Sequence, residues 1–190
     1  SRAFVQAVPS HGQWRYGRYN RRSLSLDAPL SPATRAPSLP LAVIAHTATS
    51  AVGAGRQALL SALIEQRSGL RANDFGHAPL PCWIGRVDGL EQAALPPHLS
   101  LWESRNSRLA WLALQQDDLP EAITAAIARH GAERVAVVMG TSTSSIGETE
   151  LAYTQLEDGH FPPALDRGCI HTPHSLGAFV QAATGLEGPC

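Results

Sequence analysis

The sequence predicts an α/β fold in which helices pack on a mostly parallel sheet, and three observations carry that expectation. Short apolar runs of the buried-strand kind, at residues 41–45 and 134–139, alternate with stretches whose apolar residues recur at helical spacing. Capping and stop residues flank those stretches where helices should begin and end. The 190 residues, 44% of them hydrophobic, suffice to enclose one sizeable core.

Leu41-Ala-Val-Ile-Ala45 opens the pattern as a strand. A helix follows, with Ala58, Leu59, Ala62 and Leu63 on one face, and Ser68-Gly69 ends it. Residues 73–97 are rich in Pro and Gly, with residues 83–87 as an edge strand. Residues 104–115 are helical, with Leu109, Leu112 and Ala113 as the inward stripe. The next helix, 119–130, has Asp118 as N-cap, Pro120 and Glu121 in its first turn, Ile123 and Ile127 inward, and Gly131 at its stop. A buried strand at 134–139 leads into a helix at 147–157 that Asp158-Gly159 closes. The last helix starts with Thr172 as cap and Pro173 at its first position, and ends near Thr184-Gly185.

Residues 1–40 form a separate segment. Six arginines face one acid, Asp27, and prolines punctuate its end, the composition of a disordered arm or non-native leader. Trp14, Tyr16 and Tyr19 interleave with arginine as single-stranded nucleic acid would require, yet disorder needs only this composition, and nucleic acid is not an expected partner. The net charge of -1 gives no general attraction to nucleic acid or an anionic membrane. All fifteen basic residues are arginine, which excludes a phosphate loop needing lysine and any Schiff-base chemistry. Cys82, Cys169 and Cys190 have neither disulfide-framework nor zinc spacing and suit a reducing cytoplasm. No apolar run has the length of a membrane span.

Four motifs carry possible chemistry. Gly53-Ala-Gly55-Arg-Gln-Ala58, with Asp74 beyond it, formally matches a dinucleotide fingerprint. The residues from His46 to Val52 lengthen the turn too far, so a helix-start loop explains the glycines and no cofactor is expected. His171 and His174 lack a third ligand at useful spacing and read as exposed loop or capping residues, with no metal. Cys190 has no helix N-terminus or base to lower its pKa and reads as an ordinary buried or strand cysteine. Gly140-Thr-Ser-Thr-Ser-Ser-Ile-Gly147 lies at the carboxyl end of a buried strand and runs into a helix, where open α/β sheets bind ligands. Its hydroxyls admit two readings, a ligand loop or a turn that only caps the helix.

In this order the pieces resemble the first half of a β-ketoacyl-[acyl-carrier-protein] synthase, over residues 41–190. Thr49-Ser-Ala-Val-Gly53, Ala58-Leu-Leu-Ser-Ala-Leu63 and Gly69-Leu-Arg71 are similar to the family's early loop and helix, and Arg105-Asn-Ser-Arg-Leu109 to its arginine-bearing helix start. Met139-Gly-Thr-Ser-Thr-Ser144 resembles the form seen in the aryl-polyene branch, and Gly185-Leu-Glu-Gly-Pro189 the turn into the nucleophile strand. The resemblance implies a thiolase-like fold of two similar halves, most of the first being present.

It also implies an activity, decarboxylative Claisen condensation of an acyl thioester with malonyl-acyl carrier protein. A cysteine thiolate at a helix N-terminus takes the acyl chain, two histidines promote decarboxylation, and backbone N–H groups hold the oxyanion. That cysteine is expected beyond Cys190 and the histidines later still, so no catalytic residue is carried over and the 190 residues alone are expected to be inactive. Thr141, Ser142, Thr143 and Ser144 match the loop flanking the acyl channel and are the implied substrate-binding residues, with Thr143 where a chain-gating side chain stands. At Ser145 the family more often has glycine, and a β-carbon there stiffens the loop. The implied partners are an acyl carrier protein and a second subunit, as a homodimer or as a heterodimer with a related ketosynthase subunit. The alternative is a non-catalytic, chain-length-factor-like partner that shapes the acyl tunnel.

Overall fold

In the computed structural model the described residues are 41–76, 80–163 and 169–190, and all but Leu41 fall in the unit Ala42–Cys190. The expectations for residues 1–40 lie outside the described residues.

The core forms around the helix that the sequence makes most apolar. This helix, Ser175–Thr184, buries Leu176, Phe179 and Val180, and Leu99, Val137 and Leu186 complete the cluster. Phe179 is 0% exposed. Trp102 meets it edge-on, with ring centroids 6.4 Å apart, a favoured aromatic geometry. Leu99 and Trp102 arrive on a tight 3-10 turn, Pro97–Trp102, which the Pro-rich composition of that stretch concealed.

The helices before it follow the sequence closely. They are α1 (Arg56–Ile64), α2 (Arg105–Leu114), α3 (Leu119–His130) and α4 (Ile146–Thr154), with Ser175–Thr184 as α5. In α3, Ile123 and Ile127 face the core as expected, and Gly131 supplies the positive φ of 87° that ends the helix. Asp118 holds the N-cap position of α3 without a side-chain cap bond and pairs instead with Arg56 at 3.0 Å. In α2 the residues packed on the core are Ala110, Trp111 and Leu114, a stripe rotated from the expected Leu109, Leu112 and Ala113. Both sets have helical spacing, and the large surface of Trp111 decides between them. Helix α4 stops at Thr154, and the Asp158-Gly159 turn closes a bridge between Glu157 and His160.

Two further expectations need correction. Helix α5 begins later than Thr172-Pro173, with His174 at its N-cap. Thr172 makes the preceding turn, its carbonyl accepting from Ser175 N–H at 3.1 Å. The mostly parallel sheet is not formed among the described residues. They contain two antiparallel pairs, β1 (Thr49–Ser50) with β2 (Gly53–Ala54), and β3 (Leu70–Ala72) with β4 (Trp83–Gly85); the second pair includes the expected edge strand. Neither residues 41–45 nor residues 135–139 form a ladder, and Val43 and Val138 are 82% and 93% exposed. A central parallel strand needs bonded neighbours on both sides. Val137 N–H donates to Pro189 O at 2.8 Å and, just before this run, Ala132 O accepts from Glu187 N–H at 3.0 Å. The two segments run in the same direction, the sense a parallel sheet would require.

Candidate functional site

The Gly140–Ser145 turn leaves the Val137 segment and enters α4, and its shape is set by its own hydroxyls. Thr141 Oγ1 accepts from Ser144 N–H at 3.1 Å, which tightens the turn. Ser144 takes the left-handed backbone, φ 48°, and its hydroxyl bonds that of Ser175 in the first turn of α5.

Ser145 occupies the N-cap position of α4 but makes no side-chain cap bond. Its hydroxyl, on a residue only 3% exposed, donates to Ser104 Oγ at 3.1 Å. Ser104 is the N-cap of α2 and is itself saturated. It accepts from Ser107 N–H at 3.0 Å and donates to Ser107 Oγ at 2.9 Å, so one O–H and two lone pairs are all used. Beside this, Glu148 in the first turn of α4 accepts from Arg105 N–H at 2.8 Å, placing a carboxylate where a helix N-terminus favours one. The starts of α2, α4 and α5 therefore meet at one buried serine cluster. The Ser145 side chain thus bonds the start of α2 and not its own helix.

Thr141, Ser142, Thr143 and Ser144 all border one cavity of about 470 Å³. The first three are exposed and Ser144 is half-buried. Across from them stand Ile170, His171, Thr172, Pro173 and His174. A second cavity, about 440 Å³, shares Met139, Thr141, Pro173 and His174 as a common wall and continues over Leu176 and Ala178. Both volumes are in the range of small-molecule sites.

The sequence offered the histidines of this wall, His171 and His174, only as a metal pair and set them aside as exposed loop or capping residues. His174 is exposed, as expected, whereas His171 is half-buried. Its Nδ1 lies 2.9 Å from Thr149 Oγ1, and its ring tilts against Phe161. The sequence signals were their His-x-x-His spacing and their position at the start of the last helix. Among the described residues no group of three His, Cys, Asp or Glu could hold a metal ion.

The glycine-rich start of α1 is occupied by the chain's own carboxylate. Arg56 N–H donates to Asp117 at 3.0 and 3.3 Å to its two oxygens, just after Gly55 with φ 84°. An anion thus already sits where a pyrophosphate would. Beside the Thr47 hydroxyl, the Arg56 backbone N–H and guanidinium hold the Asp117 carboxyl below its ordinary range. Asp74 lies elsewhere, bonded to Arg86 at 3.0 Å, which lowers its pKa. Cys190 is exposed, not buried, and borders the second cavity, where its sulfur faces Gly177. All three cysteines are free.

No helix among the described residues is long and apolar enough to cross a membrane. No family model matches the chain, and neither does any curated protein. Among solved structures, the ketosynthase (ApeO) in complex with its chain length factor (ApeC) from Xenorhabdus doucetiae is similar to it. The likeness has a TM-score of 0.59 at 30% sequence identity and covers 74% of this chain and 35% of that one. The chain therefore spans about a third of the length of the solved chain it matches, and by that likeness it has a ketosynthase-related, thiolase-like fold.

Proposed function

We propose that this chain is the amino-terminal part of a condensing enzyme that extends an acyl chain held as a thioester, a 3-oxoacyl-[acyl-carrier-protein] synthase. The observation that carries the reading is the cavity bordered by Thr141, Ser142, Thr143 and Ser144 and continued by an apolar one, on a fold related to ketosynthases. The hydroxyl-lined turn would border the thioester end and the apolar cavity would take the tail. In the reaction, the malonyl α-carbon forms a bond to the acyl carbonyl carbon, carbon dioxide leaves, and the enzyme thiolate is released. The nucleophile and both histidines would come from residues beyond Cys190. Acyl and malonyl carrier proteins are the proposed substrates, in the cytoplasm, and a second ketosynthase-type subunit is the proposed partner.

A second reading is supported by the composition of the similar complex, which pairs a ketosynthase with a chain length factor. On it, this chain is the non-catalytic member, and its cavity shapes the partner's tunnel. The full-length protein, given acyl- and malonyl-carrier protein, distinguishes the two. Carbon dioxide release with a 3-oxoacyl product by mass spectrometry supports the enzyme. Inactivity alone, with activity only on co-purification with a ketosynthase, supports the second reading, and neither outcome under any pairing overturns both.

A further inference from the structure

We infer that Ser145 is a positioning residue: through its bond to the buried, saturated hydroxyl of Ser104 it fixes the backbone of the Thr141–Ser144 turn and so sets which acyl chains the adjoining cavity admits. The specificity part of this inference rests on the reading of that cavity as an acyl site.

The geometry argues it in three steps. A serine at a helix N-cap ordinarily accepts from an N–H of its own first turn, and Ser145 makes no such bond. Its hydroxyl points inward to Ser104, itself 2% exposed, whose lone pairs and proton are all engaged. Such a bond has one direction and one length available to it, so the peptide of Ser145 is held in place. The neighbouring residue, Ser144, is then fixed from both sides, by Ser175 and by Thr141. Thr141 and Ser144 are among the residues that line the cavity. A glycine at position 145 would lack both the hydroxyl and the β-carbon and would leave the turn free to move.

The test uses the full-length protein and Ser145→Ala, with Ser104→Ala as a second variant and the exposed Ser100→Ala as control. Hydrogen exchange across residues 140–146 should quicken by about tenfold in both variants, the factor a lost buried hydroxyl bond carries, with residues 119–130 unchanged. Unchanged exchange at 140–146 in Ser145→Ala would overturn the positioning role. Binding of hexanoyl and dodecanoyl N-acetylcysteamine thioesters, by calorimetry, reads specificity. The ratio of the two affinities should fall toward unity in Ser145→Ala, a change that mere destabilisation of a folded protein does not produce. A looser turn with the wild-type ratio would refute the specificity claim. If the wild type binds neither thioester, the acyl reading and the specificity claim fall together, while the exchange result still decides the positioning role.

Discussion

Ser145 and Ser104, 41 residues apart in sequence, join the starts of α4 and α2 through a single hydroxyl–hydroxyl bond of 3.1 Å. A second bridge, from Arg105 N–H to Glu148, runs beside it. The turn bordering the cavity is thus tied to the helix that packs on α5 and the core.

Removing the hub should cost more than removing the arm. Ser104→Ala loses the α2 cap and should destabilise by about 2 kcal/mol, whereas Ser145→Ala loses one bond and about 1 kcal/mol. Because the two share that bond, the double variant should cost less than the sum. Urea denaturation of the three variants measures this, and strict additivity would mean the residues are not coupled.

Stability should fall in acid through Asp117. Its folded pKa lies below the ordinary 3.8, so its contribution is present above that value and is lost as pH falls through the lower, folded one. Asp117→Asn abolishes the titration, so the melting-temperature gap between wild type and variant should be constant near neutrality and should close below about pH 3.8. Asp74 is also held low, but it titrates in both proteins and cancels in the difference. A gap that widens in acid would contradict the cap.

Gly188 packs against the Val135 carbonyl, and a β-carbon there would collide with backbone. Gly188→Ala should displace residues 187–189 from residues 132–137 and cost about 1–3 kcal/mol. Faster hydrogen exchange at Val137, whose N–H bonds Pro189, would report the displacement.

The sequence disclosed helices better than sheets, for a physical reason. A helix satisfies its own backbone, so Ile123, Ile127 and the Gly131 stop could be read locally. A strand needs a partner, and the apolar run at residues 134–139 says nothing about where that partner lies. Within the run only one backbone bond to a distant segment is seen among the described residues, from Val137 N–H to Pro189 O. The Gly140–Ser145 segment was legible as a turn, because small hydroxyl residues between an apolar run and a helix favour turns and helix starts. The Ser145–Ser104 bond was not, since no local pattern links residues 41 apart. The role of Asp117 was hidden in the same way: its carboxylate reaches Arg56 across 61 residues.

Thr143 borders the cavity and is exposed, so a larger side chain there should narrow it without disturbing the core. Thr143→Phe should weaken binding of a dodecanoyl thioester by at least about tenfold and leave a hexanoyl thioester within about twofold, the scale on which a few methylenes are discriminated. Equal weakening of both would mean that Thr143 does not limit chain length.

The most direct test of the proposed acyl site is photolabelling of the full-length protein with a dodecanoyl N-acetylcysteamine thioester carrying a diazirine at its chain end, followed by peptide mapping. The account predicts adducts within residues 137–149 and 170–181, which line the two neighbouring cavities, and their loss when unlabelled thioester competes. Competable adducts confined to other parts of the chain, with none on those two segments, would contradict it.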